Sequence, residues 1–154
     1  MRIMEMPQLN QRSLIVKHSK LETEADLSRI RSSKNERTLE SFTEAIRLNP
    51  EDAFAYYSRG AAYFDLGQYD LAMQDYDAVI RLDPQNGRAY TGRGATYHSF
   101  RQYERAIQDY DEAIRLDPQY AIAYNNRGLT YQSLGKVEEA ARDFAKAKEL
   151  GYEP

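Results

Sequence analysis

Three prolines, Pro50, Pro84 and Pro118, stand 34 residues apart. A chain that repeats itself at this interval has few folds open to it. Each proline closes the same kind of word: Ala45-Ile46-Arg47-Leu48-Asn49-Pro50, Val79-Ile80-Arg81-Leu82-Asp83-Pro84 and Ala113-Ile114-Arg115-Leu116-Asp117-Pro118. A unit this short cannot bury an apolar face alone. Identical units must stack into a solenoid in which each is covered by its neighbours.

With Ala53 as position 1 of the repeat, position 4 is Tyr56, Tyr90 and Tyr124, and position 8 is Gly60, Gly94 and Gly128. Position 11 is Tyr63, Tyr97 and Tyr131, position 20 is Ala72, Ala106 and Ala140, and position 24 is Tyr76, Tyr110 and Phe144. Tyr56, Gly60 and Tyr63 follow the i, i+4, i+7 spacing of one helical face, and Ala72, Tyr76 and Val79 do so for a second helix. Gly67 and Gly135 fall between the two patterns, where a helix ends and the chain turns. The spacing predicts helices over 53–66 and 69–82, 87–100 and 103–116, 121–134 and 137–150, with Asp52 and Asn86 placed to cap the first helix of their units. Glycine at position 8 and alanine at position 20 lack bulk, which lets paired helices approach closely.

This set of residues resembles the tetratricopeptide repeat, whose pattern sets a large aromatic, Gly, Tyr, Ala, an aromatic and Pro at these spacings. The resemblance covers 53–152 as three repeats (53–86, 87–120 and 121–152), with a partial copy before them. It departs where Tyr replaces the usual Trp at position 4, where Arg replaces Leu at position 7, and at Tyr152, which stands where a fourth Pro would fall. The resemblance implies an all-α, right-handed superhelical solenoid of antiparallel helix pairs.

The edges are less regular. Residues 36–50 fit the second helix of an earlier unit, with Leu39, Phe42, Ala45, Ile46 and Leu48 on its buried side. Residues 19–35 would supply the first helix, but Glu22, Asp26 and Arg29 occupy positions 4, 8 and 11. Residues 19–50 are therefore expected to form a degenerate or capping helix pair. Residues 1–18 carry no sustained period and are expected to be a mobile arm. At the other end, Lys148 replaces Ile80 and Ile114, and Ala141 replaces Met73 and Ile107. A terminal repeat turns a polar face to water, so the array is expected to end there.

Composition removes whole classes of function. The 154 residues contain no cysteine, which excludes disulfides, thiolate metal sites and cysteine nucleophiles. A cytoplasmic location is the expectation that accompanies this. The mean hydropathy is −0.79, and no apolar run is long enough to span a bilayer, so no membrane role is expected. Residues 1–35 hold 7 Lys and Arg against 4 Asp and Glu, whereas 36–154 hold 14 against 20. An acidic body has no long-range attraction for phosphate backbones, and nucleic acid is not expected as a partner. His18 and His98 have no ligand-spaced companion, so no metal site is expected, nor any cofactor. No phosphate loop, catalytic triad or carboxylate pair stands out, and the chain reads as non-enzymatic.

Most tyrosines fall on framework positions. Phe54, Tyr57 and Phe64 do not; with Ala61 they form a stripe on the side of the first helix opposite Gly60. The family resemblance implies that first helices line a concave groove, with positions 2, 5, 9 and 12 facing into it. The corresponding stripes are Arg88, Thr91, Ala95 and His98, then Ile122, Asn125, Leu129 and Gln132, with Asn126 adding an amide at position 6. The implied peptide-binding groove is thus Phe54, Tyr57, Phe64, Arg88, His98, Ile122, Asn125, Asn126 and Leu129. It suits an extended or helical peptide bearing an acidic group. For Phe54 two readings stand, a groove residue or a contact with residues 19–48.

Arg59, Arg93 and Arg127 recur at position 7, and Asp75, Asp109 and Asp143 at position 23. Ala25 and Ser41 hold these places in the degenerate unit, where both are lost together. They read as structural ion pairs between helices. In the Asp-Tyr-Asp words at 75–77 and 109–111 the two carboxylates point too far apart to chelate one ion, and a solvated face is expected. The leading function is a protein- or peptide-binding adaptor; the alternative is a self-assembling structural protein. One subtype of the family clamps the C-terminal carboxylate of chaperones. Its clamp positions hold Tyr57, Ala61, Gly92, Ile122 and Asn126 here, or Thr23, Leu27, Ser58, Arg88 and Gly92 one unit earlier, and neither set builds the clamp.

Overall fold

The computed structural model describes residues 26, 27, 29 and 36–153. Backbone contacts divide the chain into two units, Met1–Arg37 and Thr38–Pro154. In the first, the described residues Asp26, Leu27, Arg29, Glu36 and Arg37 are helical and exposed. The expected arm over 1–18, and nearly all of the expected helix over 19–35, lie outside the described residues.

The second unit is a solenoid of antiparallel helices with no strand among its described residues. Its helical residues 38–48 are designated α1. They are followed by α2 (Ala53–Asp65), α3 (Tyr69–Leu82), α4 (Gly87–Ser99), α5 (Tyr103–Leu116), α6 (Ala121–Ser133) and α7 (Val137–Glu149). The bounds agree with the period to within a residue. Asp52 Oδ1 accepts from the Ala55 N–H at 3.0 Å and Asn86 Oδ1 from Ala89 at 3.2 Å, so both expected caps form. Tyr120 takes the same place before α6 and makes no side-chain cap.

Each first helix ends in one device. The N–H groups of Gln68, Gln102 and Lys136 donate to the carbonyls of Tyr63, Tyr97 and Tyr131 at 2.8–2.9 Å. The residue before each of these donors is left-handed: Gly67 at φ 71°, Arg101 at φ 59° and Gly135 at φ 73°. This closes the terminal carbonyls and reverses the chain in two residues. Second helices stop at the Asp-Pro words, where Asp83 Oδ1 and Asp117 Oδ1 accept from Gln85 and Gln119 at 3.1 and 2.9 Å.

The core is small-residue rich. Ala55, Ala62, Ala72, Ala89, Ala106, Ala113, Ala123, Ala140 and Ala147 are buried, with Tyr76, Val79 and Tyr110 as the large members. Where the first helix carries glycine, the second lays an aromatic ring on its backbone. A Cβ at Gly94 would sit 2.8 Å from Tyr110 Cε1, and one at Gly128 would sit 2.8 Å from Phe144 Cε1. Tyr76 also reaches the next unit, where a Cβ at Gly92 would lie 2.5 Å from its Cζ. The first two repeats are thus clasped through a contact only a glycine permits.

Leu48 departs from the expected buried side of α1: it is exposed, whereas Leu82 and Leu116 at its position are half-buried. Leu116 lies against Gly87, the start of its own unit's first helix. The residue equivalent to Gly87 in the degenerate unit falls outside the described residues.

Candidate functional site

Three arginines tie the helices together. Arg93 Nε and Nη2 donate to both oxygens of Asp109 at 2.9 and 2.8 Å, and its Nη1 donates to Asp77 of the preceding repeat at 2.8 Å. Arg127 does the same with Asp143 (2.8 and 2.7 Å) and with Asp111 (2.6 Å). Arg59 grips Asp75 at 2.8 and 2.7 Å, but its third contact is the Thr43 hydroxyl of α1, at 3.3 Å. Each guanidinium also lies over two framework rings, Tyr90 and Tyr97 in the case of Arg93. This explains both the arginine that replaces the family's leucine and the tyrosines on either side of it.

The expected ion pairs therefore form, within a repeat and across to the one before. The Asp-Tyr-Asp words are not simply a solvated face. Asp75 and Asp109 turn inward to their own repeat's arginine, while Asp77 and Asp111 reach the next repeat's. Asp109 raises the Arg93 pKa, with Asp77 adding to it, whereas burial lifts the Asp109 carboxyl above its ordinary range in spite of the guanidinium. The two-pronged geometry is that of an ionised pair, and the opposing shifts mean that desolvation offsets much of the attraction.

The helix order then defines a wall. Helix α4 touches α2 on one side and α6 on the other, but α3 makes no backbone contact with α5, nor α5 with α7. A row whose members touch is on the inside of a curve. First helices thus form the concave side.

Along this wall Phe54 is 71% exposed and meets α1 through an edge-on contact with Phe42, ring centres 6.1 Å apart. The expected contact with residues 19–48 is thus made, and most of the Phe54 ring stays exposed. Tyr57 is half-buried, its ring 5.9 Å from that of Tyr76. Arg88, Ile122 and Leu129 are exposed, and Asn125 and Asn126 are half-buried with a 3.4 Å contact between their amides. Thr91 differs from its stripe: it is buried, with its hydroxyl on the Gly87 carbonyl at 3.0 Å. A short side chain that bonds its own helix is drawn down to the floor.

Two hollows on the described surface include expected wall residues. One, of ≈ 240 Å³, is lined by Phe64, Ala95, His98, Ser99, Tyr110, Asn126 and Leu129, bringing together four expected residues from three repeats. Here His98 Nδ1 lies 2.9 Å from Thr130 Oγ1, and burial lowers the imidazole pKa. The second, of ≈ 640 Å³, lies at the C-terminal end among Asn125, Leu129, Phe144, Lys148 and Tyr152.

Tyr120 was not among the expected residues. Burial raises its pKa, with Tyr57 adding to the rise and Arg88 opposing it, so its hydroxyl lies in the field of both. Its sequence signal is the slot it occupies, where Asp52 and Asn86 cap their helices. Among the described residues no three His, Asp or Glu side chains gather as a metal site, and no helix is long and apolar enough to cross a membrane.

Models of the tetratricopeptide repeat match residues 53–86, 76–108 and 121–150, and a TPR repeat model matches 30–67 and 102–135. The chain belongs to the tetratricopeptide-repeat family. The repeat of this family is a non-catalytic scaffold fold. Among solved structures, the second TPR domain of Spaghetti (RPAP3), bound to HSP90 peptide SRMEEVD, is 34% identical at a TM-score of 0.62, over 70% of this chain and 98% of that one. A MamA structure is 31% identical at a TM-score of 0.66, over 73% of this chain and 66% of that one. MamA 41-end from Desulfovibrio magneticus RS-1 is 29% identical at a TM-score of 0.69, over 77% and 67%. The TPR chain described here thus spans just under two thirds of the first MamA structure. No curated protein matches it significantly in sequence.

Proposed function

We propose that this tetratricopeptide-repeat chain is a protein-interaction scaffold that holds a segment of a partner protein against its concave wall. The observation that carries the reading is a contrast: framework positions 4, 8, 11, 20 and 24 keep their character in all three repeats, while positions 2, 5 and 12 change in each and position 9 changes in the third. Phe54, Tyr57, Phe64, Arg88, His98, Ile122, Asn125, Asn126 and Leu129 are the proposed contacts. A stacked framework fixes them before binding, so little order is lost there when a ligand arrives. Arg88 and Tyr57, which bracket the Tyr120 hydroxyl electrostatically, suit a segment bearing an acidic group.

The two RPAP3 domains were solved with a chaperone peptide, and that supports peptide recognition by this fold. Neither frame of the repeats builds the clamp for such a tail, so the ligand is a different segment. Capture from the native lysate by wild type and by a Tyr57→Ala, Arg88→Ala double variant tests the reading. Buried aromatic and arginine contacts dominate most interfaces, and each truncation should weaken the partner by on the order of 1–2 kcal/mol. Equal capture by a folded double variant would remove the wall from consideration.

A second reading, assembly with further copies of the chain, has its own observation. The C-terminal hollow lies where a further repeat would stack, and Phe144 and Leu129 line it. At the opposite end Phe54 is largely uncovered. The likeness to the MamA structures, over 73–77% of this chain at 29–31% identity, extends further than that to the peptide-bound domains, at 64% and 70%, and of the two readings it goes with this one. Light scattering across a concentration series separates the two: a mass that grows with concentration supports assembly, and a constant monomer mass rules it out.

A further inference from the structure

His98 is held by a bond that decides what its other nitrogen can do. Thr130 Oγ1 donates its single hydrogen to the Asn126 carbonyl at 2.9 Å, the i−4 bond of α6. His98 Nδ1 lies 2.9 Å from the same oxygen. With the Thr130 hydrogen on the Asn126 carbonyl, Nδ1 carries the ring's hydrogen and Thr130 accepts it.

A neutral imidazole with a protonated Nδ1 has a bare lone pair at Nε2. Burial favours that neutral form. Among the described residues no side-chain or backbone group bonds Nε2, and no buried side-chain nitrogen or oxygen lacks a partner. Nε2 is then open to accessible space, and His98 lines the ≈ 240 Å³ hollow. Around it the apolar lining is Phe64, Ala95, Leu129 and Tyr110, with Ser99 and Asn126 beside them. Tyr103 packs edge-on to the imidazole, 5.2 Å between ring centres, and restrains its tilt.

We propose that this hollow is a specificity subsite that takes a branched aliphatic side chain of an extended partner segment while His98 Nε2 accepts a hydrogen bond from the amide N–H beside that side chain. The proposal rests on the wall reading and narrows it, because a site built around an acceptor rejects a segment that has no donor at this point. Position 12 holds Phe64 and Gln132 in the neighbouring repeats, so neither offers a fixed ring nitrogen. Only the middle repeat sets the register of the bound chain.

The tautomer is read directly from imidazole ¹⁵N shifts of the free protein, and the expected result is the Nδ1–H form. The subsite is then probed with two fragments, N-isopentylacetamide and its N-methyl derivative, which share the aliphatic group but differ in the amide hydrogen. Titration should move the His98 Nε2 and Leu129 methyl signals, with the N-methylated fragment bound roughly fivefold or more weakly, as one lost hydrogen bond implies. In His98→Phe, which borrows the residue of the first repeat, that preference should vanish. An Nε2–H tautomer, equal affinities in wild type, or no shift at saturating fragment would overturn the proposal. Because the fragments need no partner protein, failure of the subsite and failure of the wall reading remain distinguishable.

Discussion

The interface between paired helices and the wall of first helices are built from the same three repeats on opposite principles. At the interface the same contact is written three times: glycine under an aromatic ring, arginine across to aspartate. On the wall positions 2, 5 and 12 differ in every repeat, and the arginine, phenylalanine and isoleucine of position 2 share only their exposure. One surface is constrained by fit to a neighbour of fixed shape, so substitutions there act on stability. The other meets solvent, so substitutions there should act on binding.

Two adjacent residues give the largest contrast. Gly94 faces Tyr110, and a leucine there would have to displace a buried ring already 2.8 Å from the first added carbon. Overpacking of this kind costs roughly 1–3 kcal/mol, a large share of the stability of a short array. Ala95 is half-buried on the wall, and Ala95→Leu should stay within about 0.5 kcal/mol. Urea unfolding of the two variants measures both, and equal losses would break the distinction between interface and wall.

The arginines sharpen it. A partly exposed ion pair is worth about 0–1 kcal/mol, and the sequence alone favours that figure for position 7. The structure raises it. Asp109 is 8% exposed and takes two bonds from Arg93, so Arg93→Met strands a buried carboxylate, at a cost of roughly 1–3 kcal/mol. Arg88→Met, on the wall, should leave the unfolding midpoint unchanged. Restoring stability by adding Asp109→Leu to Arg93→Met would show that the loss came from the stranded charge; no recovery would place it in the rings that Arg93 covers.

How much of this the sequence disclosed follows from the reach of a repeat. Anything fixed by a residue and its equivalents 34 places away was legible, including helix bounds, the caps Asp52 and Asn86, the glycine contacts and the pairing of positions 7 and 23. The second anchor of each arginine was not. Asp77 and Asp111 do recur at that interval, but which arginine they serve depends on how one repeat docks on the next. Thr91 was placed on the stripe by its register, and its burial came from a local bond that register does not encode. Tyr120 at its cap position and the His98–Thr130 contact each occur once, so periodicity has nothing to compare.

A smaller effect lies in the turn that the middle repeat makes differently. Gly67 and Gly135 adopt their left-handed conformations without strain, whereas Arg101 does so at φ 59° with a Cβ that crowds its own backbone. Arg101→Gly should stabilise the chain by about 0.5–1 kcal/mol, the strain relieved less the extra freedom glycine gains when unfolded. Unfolding midpoints measured side by side check it. A loss of stability would mean that the Arg101 side chain makes a contact worth more than the strain.

The smallest expected effect distinguishes the wall from the interface by pH. His98 titrates with a pKa lowered by burial alone, and the groups around it, Tyr103 and Tyr110 from α5 and Thr130 and Asn126 from α6, carry no charge near neutrality. The unfolded histidine, with a pKa of about 6.5, therefore binds protons more readily than the folded one. Stability contributed by this group is fully present above that value and is lost as pH falls through the folded pKa. The ring is partly open to solvent, which keeps the change small. Asp109, raised by burial, adds a pH dependence of its own at lower pH, so the measurement is a difference between wild type and His98→Phe at about pH 7.5 and 5.5. The wild type should lose stability relative to the variant on acidification, because only it has a proton to take up. Parallel pH profiles would mean that His98 is as easily protonated in the fold as out of it, which a ring sheltered in the hollow would not be.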